Sequence, residues 1–438
     1  MFRGKIQELS YVLRGDRRYE YFKALKQNMF VSRDELIHIQ NMSIQKLVQH
    51  AYHSTKYYRK IFDSCGIRPE DIREANNLSS LPLLSKSIVK ENLDSLKSND
   101  FFSNNLFIVF SGGSTGNQAV IYKSPYYEQM SRAASLRNNM IAGWNPEDRS
   151  VWIWGAPYEH EEIKGSLRAK LGIVINKRML LNAYNYAKTD FPIWADSIRK
   201  FKPKIVYGYS SIIAEFSRYL IDNNIRFDTV KSVISTTEAL TERSLIKDAF
   251  GCKVFDQYGS REILSIAIES EEGVMRVSDD TVVLNIGDDG EFMVTALHSY
   301  GFPLINYKIG DYGRVIRTLA VNDNVPFSCM SLVIGRTTDN FINKQQRKIS
   351  SSALSTYMSS FNIPILEQQI IQNNCVNFVV NYVPGAGFDF EYYRGVVMKA
   401  LYEYFGNDVY AQFNLVESIP IEKSGKKMMF KRNFAIEN

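Results

Sequence analysis

The residues best suited to chemistry are the small and hydroxylated ones of Ser111-Gly112-Gly113-Ser114-Thr115-Gly116, which separate two apolar, β-prone runs at 106–110 and 119–122. Glycines reach positive φ and let successive backbone N–H groups converge on an anion. Ser114 and Thr115 add uncharged hydroxyl donors, so the set suits a phosphate group. It is not the familiar P-loop, because Asn117-Gln118 stand where Gly-Lys-Ser/Thr would and strand-forming residues follow instead of a helix N-terminus. A solvated turn has the same composition, so these residues alone leave both readings open.

Other polar loops come after strands. Runs at 205–207, 232–234 and 254–256 read as strands, each followed by a polar stretch: Gly208-Tyr209-Ser210-Ser211, Thr236-Thr237-Glu238-Ala239 and Gln257-Tyr258-Gly259-Ser260-Arg261-Glu262. Helical patterns lie between the strands, the second ending near Gly251. Strands alternating with helices predict parallel pairing with right-handed crossovers, and ligands in such sheets collect at the carboxyl ends of the strands. The strand Val151-Trp152-Ile153-Trp154 leads into an aromatic loop containing Tyr158, a pocket wall or equally core packing.

The elements around these loops follow from patterning. Ile44, Leu47, Val48 and Ala51 predict a helix over 41–58 capped by Ser43, and Ser85 caps a second helix. Ser124-Pro125 opens a third that runs to about 141. Gly287-Asp288-Asp289-Gly290 joins strands at 281–286 and 291–295 into a hairpin. A similar hairpin is expected from 304–307 and 314–316 about Lys308-Ile309-Gly310-Asp311-Tyr312-Gly313. Beyond 335 the pattern is a small α+β unit, with helices at 353–361 and 390–404 and strands at 365–371, 378–382 and 412–416. The expected division is a large domain over 1–335 and a smaller lid domain over 336–438.

Composition narrows the class. With 45% hydrophobic and 23% charged residues the chain is globular, and a net charge of +6 over 438 residues argues against a dedicated nucleic-acid binder while suiting anionic ligands. The 4 cysteines and 5 histidines form no metal-spaced pairs, which predicts reduced thiols and no zinc site. No uncharged apolar stretch approaches the ~20 residues of a membrane span, and the charged N-terminus has no secretory pattern, so a cytoplasmic protein is expected.

Laid out in order, these loops resemble those of the adenylate-forming superfamily, within it the phenylacetate–CoA ligase-like branch and its capsular-polysaccharide biosynthesis relatives. The likeness runs from the helix with Ser43 and Leu81-Pro82-Leu83-Leu84-Ser85-Lys86 to Ser424-Gly425-Lys426. It implies an α/β fold, a large N-terminal domain of parallel sheets with an antiparallel subdomain, and a mobile C-terminal domain. It implies that the 111–116 loop, Thr115 included, holds the β- and γ-phosphates of ATP, and that Thr237, Glu238 and Ala239 pack along adenine. In the Gln257 to Glu262 stretch, Tyr258 would stack on adenine beside Gly259 and Ser260, and Glu262 would ligate Mg²⁺. Asp311 would accept the ribose hydroxyls, a bidentate role that suits an ionised acid, with Arg336 as a second contact. Trp154, Tyr158, Tyr207, Gly208 and Tyr209 would line the site of a carboxylic acid substrate. Lys426, with Thr115 and Glu262 the expected catalytic set, would lie between that carboxylate and the α-phosphate; without the resemblance it reads as a solvated tail lysine.

The chemistry implied is attack of the carboxylate on the α-phosphate, giving an acyl-adenylate and pyrophosphate, then transfer to CoA or an amine. Three positions depart from the pattern: Asn117-Gln118 replace a lysine near the end of the phosphate loop, Thr338 stands at the hinge, and Gln346 replaces a later glycine. These motivate a second reading, a nucleotide-binding scaffold that has lost the reaction. Lys426→Ala separates the two. In a ligase, pyrophosphate exchange falls sharply while ATP binding, followed by calorimetry, persists; in a scaffold neither measurement changes.

Overall fold

The computed structural model describes residues 8–9, 11–110, 120–154, 177–183, 185–238, 240, 242–287, 290–316, 325–334, 341–345, 348–349, 354, 358, 361, 363–420 and 430–434. They fall into two compact units, one drawn from 1–111, 119–147 and 255–335, the other from 148–254 and 336–438.

In the first unit the helix Arg33–Ser54 is capped by Ser32, whose hydroxyl accepts from Glu35 N at 3.1 Å. Thr55 ends it and caps the next helix, Lys56–Cys65. The expected start at Ser43 is therefore corrected: Ser43 lies inside the helix and donates to Ile39 O at 3.0 Å, while Ile44, Leu47, Val48 and Ala51 are buried as anticipated. The strands Phe107–Phe110 and Val120–Lys123 pair antiparallel on either side of the glycine-rich loop. Ser124 then caps the helix Pro125–Ile141 with Pro125 in its first turn, where a missing N–H costs nothing.

An antiparallel series follows. Its order is Val282–Ile286, Glu291–Ala296, Tyr307–Ile316, Cys329–Ile334, Met275–Val277, Ala267–Glu269 and Lys253–Tyr258. The first hairpin stands as expected. The second does not form: Tyr307–Ile316 is one continuous strand paired on both edges, with register shifts near Tyr312. Gly310 (φ +91°) marks an irregularity within the strand instead of a chain reversal. At Gly313 a Cβ would lie 2.2 Å from Ser331 O and 2.3 Å from Phe292 Cζ, so only glycine fits.

The same unit buries charge. Arg137 and Asp280 are both fully buried and form two hydrogen bonds of 2.9 Å, with the guanidinium 4.3 Å from the Phe327 ring centre. Asp280 also accepts from Asn28 Nδ2 at 2.9 Å.

In the second unit four parallel strands run in the order Ser232–Thr236, Ile205–Tyr209, Ser150–Trp154 and Arg178–Asn182. The helices Phe191–Phe201, Ser210–Asp222 and Arg243–Phe250 share one apolar core with them. Where a loop was expected at 208–211, the strand continues through Tyr209 and the helix begins at Ser210. Gly208 permits this packing, since a Cβ there would meet Ile153 O at 2.4 Å.

Residues 365–432 add a sheet ordered Tyr410–Leu415, Asn377–Pro384, Ile365–Gln372 and Phe430–Arg432, covered by the helix Phe390–Phe405 over its own core. Of the helix expected at 353–361, the described residues Leu354 and Met358 are helical and buried. Among the described residues no helix is long and apolar enough to cross a membrane.

Arg137→Ala strands the buried Asp280 charge and is expected to lower unfolding free energy by about 3–5 kcal/mol. Urea denaturation checks this, and the apolar pair Arg137→Met with Asp280→Leu should recover most of the loss.

Candidate functional site

The strand Lys253–Tyr258 ends in a turn that needs a glycine at 259. A Cβ on Gly259 would sit 2.8 Å from Ser265 N, so the chain folds back on itself at a glycine. Ser260 Oγ accepts from Ile263 N at 3.1 Å while Ser260 N donates to Ile263 O at 2.9 Å. Ser265, at φ +53°, ties the far end: its Oγ accepts from Gln257 Nε2 at 3.0 Å and lies 2.5 Å from Ser135 Oγ. Its carbonyl accepts from Asn138 Nδ2 at 3.3 Å and Ser278 Oγ at 2.9 Å. The turn is thus strapped to the helix Pro125–Ile141.

Glu262 projects from this turn into the interior and is 1% exposed. Oε1 accepts from Tyr307 Oη at 3.2 Å, and the backbone carbonyl accepts from Tyr127 Oη at 3.3 Å. Oε2 is buried and has no hydrogen-bond partner among the described residues. An unpaired buried acceptor of this kind costs about 1–3 kcal/mol, more if charged. Nearby, Lys123 is 2% exposed and its Nζ donates to Glu128 at 3.2 Å. Burial lowers the pKa of Lys123, while the charges of Glu128 and Glu262 act to raise it; the net direction is down. Burial also pushes the Tyr127 phenol above its ordinary range.

Those residues fit a divalent cation of the magnesium type. Magnesium keeps several waters and takes one or two protein carboxylates besides phosphate oxygens, so a single open carboxylate oxygen is a sufficient donor. Among the described residues no group of three or more His, Cys, Asp and Glu side chains forms a closed metal cage.

Asp311 lies beside the register shift of the strand Tyr307–Ile316, and its Oδ2 accepts from Tyr258 Oη at 3.0 Å. Tyr258 is 8% exposed with its ring centre 6.0 Å from that of Phe292, so packing and the carboxylate together fix the ring. The structure therefore brings together Tyr258 and Asp311, which are 53 positions apart, with Gln257 beside Tyr258 on the strand and Gly259, Ser260 and Glu262 on the adjoining turn.

In the second unit Trp154 stacks on Tyr209 at 4.6 Å and 5°, and Trp152 meets Tyr207 at 4.3 Å with Arg178 4.8 Å above its ring. Burial pushes the Tyr207 hydroxyl up to about 12. Gly208 lies between them on the strand. Glu238 Oε2 accepts from Ser211 N at 3.0 Å, serving the N-terminus of the helix Ser210–Asp222. Thr237 has φ +69° and donates from its hydroxyl to Thr236 O at 2.6 Å. A β-branched residue in the left-handed region is strained.

Ser111, Gly112, Gly113, Ser114, Thr115, Gly116, Tyr158, Ala239, Arg336 and Lys426 lie outside the described residues, as do Asn117, Gln118, Thr338 and Gln346. Sequence reasoning did not single out Lys123, Tyr127 or Tyr307. A lysine closing an apolar strand just before a capped helix was the one available signal.

The fold, a mixed α/β architecture carrying this turn, is that of the adenylate-forming CoA ligases. A solved structure of 2-hydroxyisobutyryl-CoA ligase with 2-HIB-AMP and CoA matches with a TM-score of 0.58 at 15% identity, over 93% of this chain and 92% of that one. Residues 341–433 match the CapK C-terminal domain family. The chain is 26% identical to Protein CapK of Staphylococcus aureus over 96% of its own length and 92% of that protein's. It is 24% identical to phenylacetate-coenzyme A ligase of Escherichia coli (strain K12) over 72% of this chain and 76% of that enzyme. These similarities support an adenylate-forming protein of the branch that holds phenylacetate–CoA ligase and CapK.

The pair of buried Lys123 and partly buried Glu128 has a pH signature. Burial would raise the carboxyl pKa of Glu128, but Lys123 and Arg132 outweigh it and hold the group below its ordinary 4.5. The folded value is the lower one, so the stabilisation is present above that ordinary value and is lost as pH falls through the folded one. Glu128→Gln should therefore reduce stability at pH 7 and flatten its decline in acid. Urea midpoints across the acid range check this; an unchanged slope would contradict the assignment.

Proposed function

We propose that the protein is an ATP-dependent carboxylate-activating ligase that forms an acyl-adenylate and passes the acyl group to CoA or an amine. The observation that carries this reading is Glu262, a buried carboxylate with one oxygen unclaimed by the described residues, on a turn next to the hydrogen-bonded Tyr258 and Asp311. A carboxylate in that state suits a cation that arrives with phosphates, and the pair beside it offers a ring face and an acceptor for a nucleoside.

In the first half-reaction an oxygen of the substrate carboxylate bonds to the α-phosphorus, the bond to the bridging oxygen breaks, and pyrophosphate leaves. In the second, a thiol or amine attacks the acyl carbon, AMP departs with the bonding pair, and the nucleophile's proton goes to solvent or base. Glu262 holds Mg²⁺, which offsets the phosphate charges when bound. Tyr258 packs against the adenine, and Asp311 accepts the ribose hydroxyls. The 111–116 loop, Arg336 and Lys426 have the phosphate, ribose and transition-state roles that the resemblance implies, and 336–438 acts as the lid. Trp154, Tyr207 and Tyr209 favour an aryl or apolar acid. Similarity to phenylacetate-coenzyme A ligase supports CoA as acceptor. The resemblance to capsular-polysaccharide biosynthesis proteins implies a role in surface-polysaccharide synthesis, where an amine acceptor also fits.

An ATP–pyrophosphate exchange screen over aryl and aliphatic acids with Mg²⁺ tests the reading. At least one acid should stimulate exchange, and Glu262→Gln should cut that rate by about 100-fold. Folded, ATP-binding protein that exchanges with no acid would overturn it.

A further inference from the structure

The two oxygens of Glu262 are not equivalent. Oε1 accepts from Tyr307 Oη at 3.2 Å, and Oε2 has no partner among the described residues. Tyr307 is fully buried at the head of the strand Tyr307–Ile316, whose neighbours on both edges fix its backbone. Its ring belongs to the apolar core, so the hydroxyl has little freedom. Glu262 is fixed from behind as well, by Tyr127 on its backbone carbonyl. A carboxylate with one oxygen held by a rigid phenol presents the other in a single direction.

We propose that Tyr307 is a positioning residue for divalent-cation binding: by occupying Oε1 it directs Oε2 of Glu262 toward the cation that accompanies the nucleotide. This rests on the reading of Glu262 as the cation ligand. The hydrogen bond plays the part of an outer-shell contact, which orients a ligand without touching the ion, and loss of such contacts typically weakens metal affinity by about 10–100-fold.

The test measures Mn²⁺ affinity by electron paramagnetic resonance for the full-length protein with a non-hydrolysable ATP analogue, in three variants. Tyr307→Phe keeps the ring that fills the core and removes only the hydroxyl, so folded protein is expected; thermal melting verifies it. Tyr58→Phe is the control for a lost buried phenol, since Tyr58 Oη bonds Pro303 O at 3.2 Å and Ile305 N at 3.1 Å in the same unit and makes no contact with Glu262 among its hydrogen bonds. Glu262→Gln tests the underlying reading.

Tyr307→Phe should weaken Mn²⁺ binding about tenfold, Glu262→Gln at least as much, and Tyr58→Phe less than twofold. With an active acid, Tyr307→Phe should raise the Mg²⁺ concentration for half-maximal rate, while saturating Mg²⁺ restores the rate to within a few-fold. Wild-type Mn²⁺ affinity in Tyr307→Phe alongside weakened binding in Glu262→Gln would overturn the positioning role alone. Wild-type affinity in Glu262→Gln would overturn both it and the reading beneath it.

Discussion

One constraint organises the first unit: a carboxylate has been carried out of solvent and left with one oxygen unclaimed by the described residues. Burying an acceptor without a donor is unfavourable, and a ligand that completed the contact would relieve that cost. The surrounding residues serve this arrangement. Gly259 makes the turn that aims Glu262 inward, and Ser265 closes it. Tyr127 holds the backbone carbonyl of Glu262 and Tyr307 one oxygen of its side chain, and Lys123 adds positive charge to the same region.

The helix Pro125–Ile141 mechanically connects these parts. It begins directly after the strand that leaves the glycine-rich loop, and its side chains at 127, 135 and 138 all bond the 259–265 turn. Its buried end is locked by Arg137 on Asp280. A rigid element of this kind is what a precise cation site needs, since displacements of an ångström in a supporting element are felt by the ligand geometry. The fixed core of the unit and its proposed cation site therefore draw on the same contacts.

Much of this was legible in the sequence because the signals are local. Ser124-Pro125 announced a helix start, Gly287 and Gly290 a hairpin, and the stretch before Glu262 a turn entered from a strand, although that strand runs on through Gln257 and Tyr258, where a loop was expected. Local signals also misled where one residue type serves two geometries. Gly310 and Gly313 read as a reversal but accommodate a strand irregularity and a close approach of Phe292 and Ser331, and Ser43 read as a cap but bonds back along its own helix. Tyr127 and Tyr307 were invisible for a different reason. Their partner Glu262 is 135 and 45 positions away, and nothing in the spacing of a tyrosine says which distant acid it will meet.

The central claim is that the unclaimed oxygen of Glu262 exists to bind the cation of a nucleotide held by Tyr258 and Asp311. A crystal structure of the protein with a non-hydrolysable ATP analogue and Mn²⁺, read in anomalous difference density, tests it most directly. The account predicts a manganese peak within coordination distance of Glu262 Oε2 and ribose hydroxyls on Asp311. Nucleotide bound with its metal elsewhere, and Glu262 still without a ligand, would contradict it.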